Sequence, residues 1–201
     1  MEEANNLAEL TGTLGAKPEY SHTGREREYY IFPLEVERLS GTVDTVNIVV
    51  RREMLEQLEV DDKPRLRIRG ELRSFNNKSG KGNKLIITVF AREIELTDDG
   101  DENRIVLTGT LCRKPNFRTT PMGREICDMM LAVNRKYGRS DYLPCIAWGR
   151  NAEKAAGLDV GDGLSLSGRI QSRKYLKTEE TGTLEKTAYE VSVMDMEPET
   201  E

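Results

Sequence analysis

Polar and apolar residues alternate between residues 164 and 175, as they do in a β-strand that has one buried face. One face carries Leu164, Leu166 and Ile170. The opposite face carries Ser165, Ser167, Arg169, Gln171, Arg173 and Tyr175. Two guanidinium groups followed by an aromatic ring suit a phosphate backbone with a base stacked at its end. An ordinary solvated strand that ends in a Tyr has the same pattern.

The elements around this strand follow a definite order. The predicted strands are residues 106–111, 129–136, 142–148, 163–173 and 187–194, the last two joined by a long hairpin. Between the third and fourth strands, Asn151 is predicted to cap a short helix and Gly157 to end it. Three strands, a helix and two strands make the order of an OB-fold, a five-stranded Greek-key barrel. Other small β-barrels also fit the pattern.

The same series of elements occurs twice in the sequence, with residues 52–58 as the helix of the first copy. Residues 10–14 read Leu-Thr-Gly-Thr-Leu, and residues 107–111 repeat these letters. A repeat of about 100 residues has the length of a domain and not of a solenoid unit. We therefore predict an all-β chain of two tandem OB-folds. The predicted parts are a degenerate OB-fold domain at 1–97, an acidic linker at 98–102 and a second OB-fold domain at 103–201.

Composition limits the chemistry that the chain can perform. The formal net charge is −5, so the chain as a whole lacks the charge of a basic nucleic-acid-binding protein. Cys112, Cys127 and Cys145 are widely spaced and His22 is the only His, which excludes the usual zinc ligand sets and disfavours a Cys or Ser nucleophile. We expect no enzyme, metal or cofactor. The sequence has no signal-peptide pattern and no apolar run of membrane length, so we expect a cytoplasmic protein.

Aromatic residues and cations gather in the second copy. In the strand at 142–148, the residues of one face are Leu143, Cys145 and Ala147, and those of the other are Tyr142, Pro144, Ile146 and Trp148. If the smaller side chains face the core, Tyr142 and Trp148 form an exposed platform typical of a binding surface. Alternatively, Trp148 anchors the core. Residues 103–196 hold 15 Lys and Arg against 11 Asp and Glu, and such mixed aromatic and basic surfaces are typical of grooves for single-stranded nucleic acid.

Several motifs of the second copy resemble the bacterial single-stranded DNA-binding proteins. They are Leu107-Thr108-Gly109-Thr110-Leu111, Lys114-Pro115, Leu131-Ala132-Val133, Trp148-Gly149-Arg150 and the run from Gly168 to Tyr175. The resemblance covers residues 103–197 and implies an OB-fold that coats single-stranded DNA by stacking bases on aromatic side chains. By position, Tyr137, Tyr142 and Tyr175 take the places of stacking Trp residues of the family, and Trp148 that of a stacking Phe. Tyr137 requires the strand before it to end ahead of Gly138.

We therefore predict a nucleic-acid interface on the second copy. Its residues are Tyr137, Tyr142, Trp148, Tyr175, Arg135, Lys136, Arg139, Arg150, Arg169, Arg173 and Lys174. The first copy lacks the aromatic set, because the aligned residues are Ser40, Thr45, Arg51 and Asn77. It has instead a face with Arg65, Arg67, Arg69, Arg73 and Phe75, followed by a hairpin with Lys78, Lys81 and Lys84. These cations predict either an electrostatic track for the strand or a scaffold whose Arg residues pair with carboxylates at a dimer interface.

The resemblance implies single-stranded DNA binding and protection in replication, recombination or repair. Typical relatives assemble four single-domain chains, so a two-domain chain is expected to form a homodimer. The sequence ends without the flexible linker and acidic, Phe-terminated tip of typical members, and recruitment of enzymes through such a tip is not expected. Alternatives are an accessory protein-interaction module of a primosome or recombination complex, an RNA-binding protein, and a nuclease, whose carboxylates Asp128 and Asp141 would have to be clustered.

Overall fold

The computed structural model describes residues 4–58 and 63–199. The first copy contains β1 (Asn6–Leu14), β2 (Glu19–Gly24), β3 (Arg27–Glu37), β4 (Val43–Arg51), α1 (Arg52–Glu56), β5 (Arg65–Asn76) and β6 (Leu85–Leu96). The second copy contains β7 (Glu102–Leu111), β8 (Asn116–Thr119), β9 (Glu125–Asn134), β10 (Ser140–Trp148), α2 (Arg150–Ala156), β11 (Gly163–Glu179) and β12 (Gly182–Pro198). The outermost residues of the predicted domains, 1–3 and 200–201, lie outside the described residues. Glu102, predicted to end the linker, begins β7.

Each copy closes into a barrel. In the first copy β1 pairs with both β3 and β5, and β4 runs parallel to β6, so the sheet returns on itself. In the second copy β7 pairs with β9 and β11, and β10 runs parallel to β12. These are the two tandem OB-folds that the sequence predicts. Each has one strand more than the predicted five, because short β2 and β8 pair with β3 and β9.

The alternation predicted for β11 is present in the fold. Leu164, Leu166 and Ile170 are at most 3% exposed and belong to an apolar core cluster that includes residues of both copies. Gly168 lies among them at a register shift between β11 and β12. A Cβ at this position would come within 2.0 Å of the carbonyl oxygen of Ser192, so only glycine allows the two strands to approach this closely.

The two copies meet along β1 and β7, which run antiparallel to each other. Ala8 pairs with Ile105, the residue 97 positions later, so the pairing maps onto itself when the copies are exchanged. The copies are therefore related by an approximate two-fold axis. We call the contact between the copies the seam. It consists of the β1–β7 pairing and of the hydrogen bonds that Asp141 and Asp44 make to the other copy.

Asp141 is a fully buried carboxylate of the seam. It accepts a 2.8 Å hydrogen bond from the backbone N–H of Ser74 in the other copy, and the guanidinium of Arg135 in its own copy donates two more at 2.5 and 2.8 Å. Arg73 of the other copy approaches it at 3.3 Å. Because a buried charge is costly unless it is paired, Asp141 holds these groups of the two copies together.

Asp44 makes the corresponding contacts from the first copy. It is fully buried, accepts a 3.0 Å hydrogen bond from the backbone N–H of Ser172, and receives two from Arg38 at 2.6 and 2.7 Å. Asp44 precedes Asp141 by 97 residues, the same distance that separates the two halves of the β1–β7 pairing. Each copy thus places one buried carboxylate against the backbone of the other.

The helices begin and end close to their predicted limits. The N-cap of α2 is Gly149, with a φ of 55°, and the predicted cap Asn151 lies inside the helix and donates from Nδ2 to the carbonyl of Met194 at 3.2 Å. Gly157 ends α2 as predicted. In the first copy α1 ends at Glu56, two residues before its predicted end. Neither helix in the described ranges has the length and apolarity required to span a bilayer.

Candidate nucleic-acid interface

The outer face of β10 carries two of the predicted aromatic residues. Leu143, Cys145 and Ala147 point into the core and are at most 2% exposed, as expected if the smaller side chains face inward. Tyr142 is 47% exposed on the opposite face, and Trp148 is partly exposed at the end of the strand. Burial raises the pKa of Cys145 to about 12, so its thiol stays protonated and does not act as a nucleophile at neutral pH.

Trp148 is held in place by a hydrogen bond. Its indole Nε1–H donates to Ser192 Oγ on the neighbouring strand β12 at 3.2 Å. Ile146, which lies between Tyr142 and Trp148 on the same face of β10, is only 4% exposed. Both aromatic rings are thus accessible on the outer face of β10, with a buried Ile between them in the sequence.

The hairpin between β9 and β10 presents a third aromatic ring. Because β9 ends at Asn134, the side chains that follow no longer have to alternate between the two faces of the strand. Tyr137 is 87% exposed at the tip of the hairpin, next to Gly138 with its positive φ of 80°. Lys136 and Arg139 flank the tip and are also exposed. The strand end thus places Tyr137 in solvent, as the resemblance requires.

Arg135 differs from the other predicted cations of the interface. Its guanidinium closes the same hairpin by donating two hydrogen bonds to the buried carboxylate of Asp141. The hydrogen bonds to Asp141 raise the pKa of Arg135 above its ordinary value. Two of its donors are consequently committed within the protein, and the structure gives Arg135 a role in holding the hairpin and the seam.

β11 and β12 form a hairpin of two 17-residue strands that carries further predicted residues. Arg173 is exposed and lies 3.7 Å from Glu190, and Lys174 is exposed and lies 3.4 Å from Glu185. The pair of Lys174 and Glu185 is exposed on both sides and contributes at most about 1 kcal/mol, so Lys174 remains able to turn towards a phosphate. Glu190 is largely buried, but Arg173 itself is 59% exposed and its contact with Glu190 is long, so its guanidinium is also accessible. Tyr175 follows them and is partly exposed.

Arg169 and Trp148 lie on either side of Ser192. Arg169 is the cross-strand partner of Ser192 in the β11–β12 pairing, and Trp148 bonds to its hydroxyl from β10. Among the described residues, Arg169 Nε is the one buried side-chain nitrogen or oxygen without a hydrogen-bond partner. Arg150 is exposed two residues after Trp148. Gln171, expected on the same polar face, is buried.

The Arg face of the first copy is neutralised within the chain. The pairs are Arg65 with Asp101 at 2.5 Å, Arg67 with Glu95 at 2.7 Å and with Asp99, and Arg69 with Glu9 at 3.8 Å. Part of the acidic segment predicted as a linker therefore lies against β5. These three Arg residues therefore have carboxylate partners in the free protein, and the electrostatic track stays a prediction for the first copy. The carboxylates that pair with them belong to the same chain.

The basic hairpin of the first copy contacts the second copy. Lys78, Lys81 and Lys84 are all exposed in it, and the neighbouring Asn83 donates from Nδ2 to the backbone carbonyl of Thr187 on β12. Thr187 is the cross-strand partner of Lys174. The cations of this hairpin therefore extend the basic surface that begins on β11.

The seam carboxylates are the residues that sequence reasoning missed. From the sequence alone Asp141 is a candidate metal ligand, but its contacts make it a structural partner of Arg135. The signal in the sequence is an Arg followed six residues later by an Asp, which occurs at Arg38 and Asp44 and again at Arg135 and Asp141. In residues 4–58 and 63–199 no three His, Cys, Asp or Glu side chains are grouped to hold a metal ion.

Comparison with known proteins agrees with this geometry. Residues 102–198, which include every residue of the predicted interface, match the single-strand binding protein family. The match lies within the second copy and covers slightly less than half of the chain. The single-stranded DNA-binding protein 2 of Listeria innocua is 39% identical over 80 residues, which are 36% of this chain and 50% of the relative. The single-stranded DNA-binding protein of Halalkalibacterium halodurans is 35% identical over 103 residues, 48% of this chain and 61% of the relative.

The chain spans about half the length of the curated single-strand binding relatives that it matches. A solved structure of a single-stranded DNA binding protein covers more of the chain. The crystal structure of the wild-type single-stranded DNA binding protein from Thermus aquaticus superposes with a TM-score of 0.79 at 25% identity. The match covers 98% of this chain and 93% of that one, so both copies of the repeat have a counterpart in its fold.

Proposed function

We propose that the protein binds single-stranded DNA on the outer face of the second copy and protects it in replication, recombination or repair. The observation that carries the proposal is the position of Tyr142 and Trp148 on β10. Both rings are turned away from a core that the smaller residues of the strand fill, and both are accessible. Each remains free on one side for a base, and base stacking on an aromatic side chain contributes about 1–3 kcal/mol.

Phosphate contacts come from the cations around these rings. The proposed contacts are Lys136, Arg139, Arg150, Arg169, Arg173 and Lys174. Tyr137 at the hairpin tip and Tyr175 on β11 extend the stacking surface in two directions. The proposal requires binding alone, without a catalytic step or cofactor. Because stacking on an aromatic face does not depend on base identity, we expect little sequence preference.

We propose that residues 1–97 and 103–201 act as two domains with distinct roles. The second domain binds the single-stranded DNA. The first supports the second through the seam, where Asp44 and Asp141 each accept a hydrogen bond from the other copy. We also propose that two chains associate, so that four OB-folds act together. Mass measurement in solution tests this directly, because a dimer of the 22.8 kDa chain has a mass of 2 × 22.8 = 45.6 kDa, and a monomeric mass would contradict it.

Fluorescence of Trp148, the only Trp in the chain, tests the binding proposal. Titration with oligo(dT) is expected to quench it, whereas duplex DNA at the same concentration is not. Arg51→Trp in a Trp148→Phe background provides a matched control, because Arg51 aligns with Trp148 in the first copy. A short oligo(dT) that fits the second copy alone is expected not to quench the fluorescence of this variant. Absence of both quenching and an anisotropy change on labelled oligo(dT) would contradict the proposal. Oligo(U) in the same titration distinguishes RNA from DNA binding.

A further inference from the structure

A row of aromatic rings crosses the outer face of the first copy. The His22 and Tyr29 rings are stacked, with centroids 4.8 Å apart and an interplanar angle of 10°. Tyr29 in turn lies 5.7 Å from Phe90 at an angle of 45°. His22 is exposed, and Tyr29 and Phe90 are partly exposed. These three rings from β2, β3 and β6 form what we call the first-copy aromatic row.

Cations flank this row. The Arg92 guanidinium lies 4.9 Å from the centroid of the Phe90 ring, and that of Arg73 lies 5.8 Å from it. Glu71 pairs with both guanidinium groups. Arg51, the cross-strand partner of Tyr29, adds a third cation. Aromatic rings alternating with guanidinium groups are the combination that binds the bases and phosphates of a single strand.

The row occupies the position of the stacking site in the second copy, displaced by one strand. Val49 pairs with Phe90 between β4 and β6, and Ile146 pairs with Ser192 between β10 and β12. Phe90 therefore corresponds to Ser192, and Arg51 corresponds to Trp148. In the second copy the large ring is Trp148 on β10, and the neighbouring strand β12 has the small residue Ser192. In the first copy the ring is Phe90 on β6, and the neighbouring strand β4 has the cation Arg51.

The row is connected to the interface of the second copy across the seam. Arg73, which lies over Phe90, also approaches the carboxylate of Asp141 at 3.3 Å. The next residue, Ser74, accepts a 2.7 Å hydrogen bond at Oγ from the backbone N–H of Tyr142. A series of contacts from Phe90 through Arg73 and Ser74 thus reaches Tyr142, whose ring is exposed.

We propose that a single strand bound to the second copy continues across the seam onto the first-copy aromatic row. Its bases contact Phe90 and Tyr29 there, and its phosphates contact Arg92 and Arg51. This inference rests on the proposed function, since the row extends the same ligand. It gives the first copy a binding role that does not use the four positions aligned with the stacking residues of the second.

The test compares two lengths of oligo(dT) on the intact protein. One OB-fold covers about 4–16 nucleotides, so an oligonucleotide of about 10 fits the second copy alone and one of about 35 reaches both. The variant is Tyr29→Leu with Phe90→Leu, which keeps apolar side chains at both positions. The matched control is Tyr20→Leu, because Tyr20 is exposed on β2 and contacts Tyr30, not the row.

We expect the double variant to bind the long oligonucleotide at least fivefold more weakly than the unaltered protein. Its affinity for the short one, followed by Trp148 quenching, is expected to be unchanged, as are both affinities of the control. Unchanged binding of the long oligonucleotide by the variant would overturn the inference. An equal loss for both lengths would overturn it as well, because the substitutions would then act on the second copy. Failure of the unaltered protein to bind either length would instead reject the proposed function and this inference with it.

Discussion

The two copies share a backbone but differ in the side chains that cover it. At the end of β4 the first copy has Arg51, and at the end of β10 the second has Trp148. The buried groups of the seam, in contrast, correspond closely, with Asp44 matching Asp141 in both burial and partners. The inner residues that set the fold and the two-fold contact are thus retained in both halves, and the outer faces carry different chemistry on the same strands.

The largest expected effect tests whether the two halves of the seam are equivalent. Asp141→Asn leaves Arg135 and Arg73 without their buried carboxylate, and breaking such a pair costs about 3–5 kcal/mol. Asp44→Asn is expected to cost somewhat less, since Asp44 pairs with one guanidinium and Asp141 is approached by two. Urea unfolding gives both free energies. Lys114→Ala, which breaks an exposed pair with Asp159, is the control and is expected to cost less than about 1 kcal/mol.

The next largest effect is on DNA affinity, and it distinguishes the outer face of the second copy from that of the first. Trp148→Ala is expected to weaken binding of a short oligo(dT) by about 1–3 kcal/mol, because a stacked base loses its partner. Arg51→Ala, at the corresponding position of the first copy, is expected to leave binding of that short oligonucleotide unchanged. Fluorescence anisotropy with labelled DNA measures both affinities. Comparable losses of affinity for the two variants would show that a short oligonucleotide binds both copies alike.

A smaller effect distinguishes a loosely paired cation, Arg173 at 3.7 Å from Glu190, from a closely paired one, Arg65. Arg173→Ala is expected to reduce the slope of log affinity against log salt by about 0.7, the value for one phosphate contact on a single strand. Arg65→Ala is expected to leave the slope unchanged, because Arg65 is already paired with Asp101 at 2.5 Å. Anisotropy titrations over a range of salt concentrations give the slopes. A reduced slope for Arg65→Ala would mean that DNA displaces the acidic segment from β5.

The smallest effect concerns alkaline pH. Burial raises the pKa of Cys145 from 9.0 to about 12, so the folded state keeps its thiol protonated where the unfolded chain ionises. Its contribution to stability is therefore complete below pH 9 and is lost as the pH rises towards 12, by about 1 kcal/mol between pH 9 and 10. The first copy has Ile48 at the corresponding position, which does not titrate. Urea unfolding of Cys145→Val is expected to show a shallower decline over this interval, and an unchanged decline would assign it to other groups.

Local patterns in the sequence predict the long strands and their order, which fits an OB-fold and other small β-barrels alike. The alternation at Leu164, Leu166 and Ile170 depends on neighbours two positions apart, and it identifies β11 without further information. The repeat then extended the prediction to the first copy. The N-cap of α2 was misplaced because Asn151 is a common capping residue, whereas Gly149 acts through its positive φ, which is not visible in the sequence.

The candidate site was less predictable, because it depends on contacts between distant residues. The pairing of Arg67 with Asp99 and of Arg65 with Asp101 requires the segment after β6 to fold back on β5, and alternation within β5 carries no information about that. The ring of Phe90 was missed for a similar reason. Arg51 and Trp148 lie on corresponding strands, β4 and β10, whereas the aromatic side chain of the first copy lies on the neighbouring strand β6.

The short connection after β6 has a consequence for association at low concentration. Two separate copies would have to meet by diffusion to form the β1–β7 contact, and they would separate on dilution. Here residues 97–101 join β6 to β7, so the contact forms within one molecule at the high effective concentration that a short tether provides. The paired state of the two halves is therefore independent of how much protein is present, and it persists at dilutions where an untethered pair would fall apart.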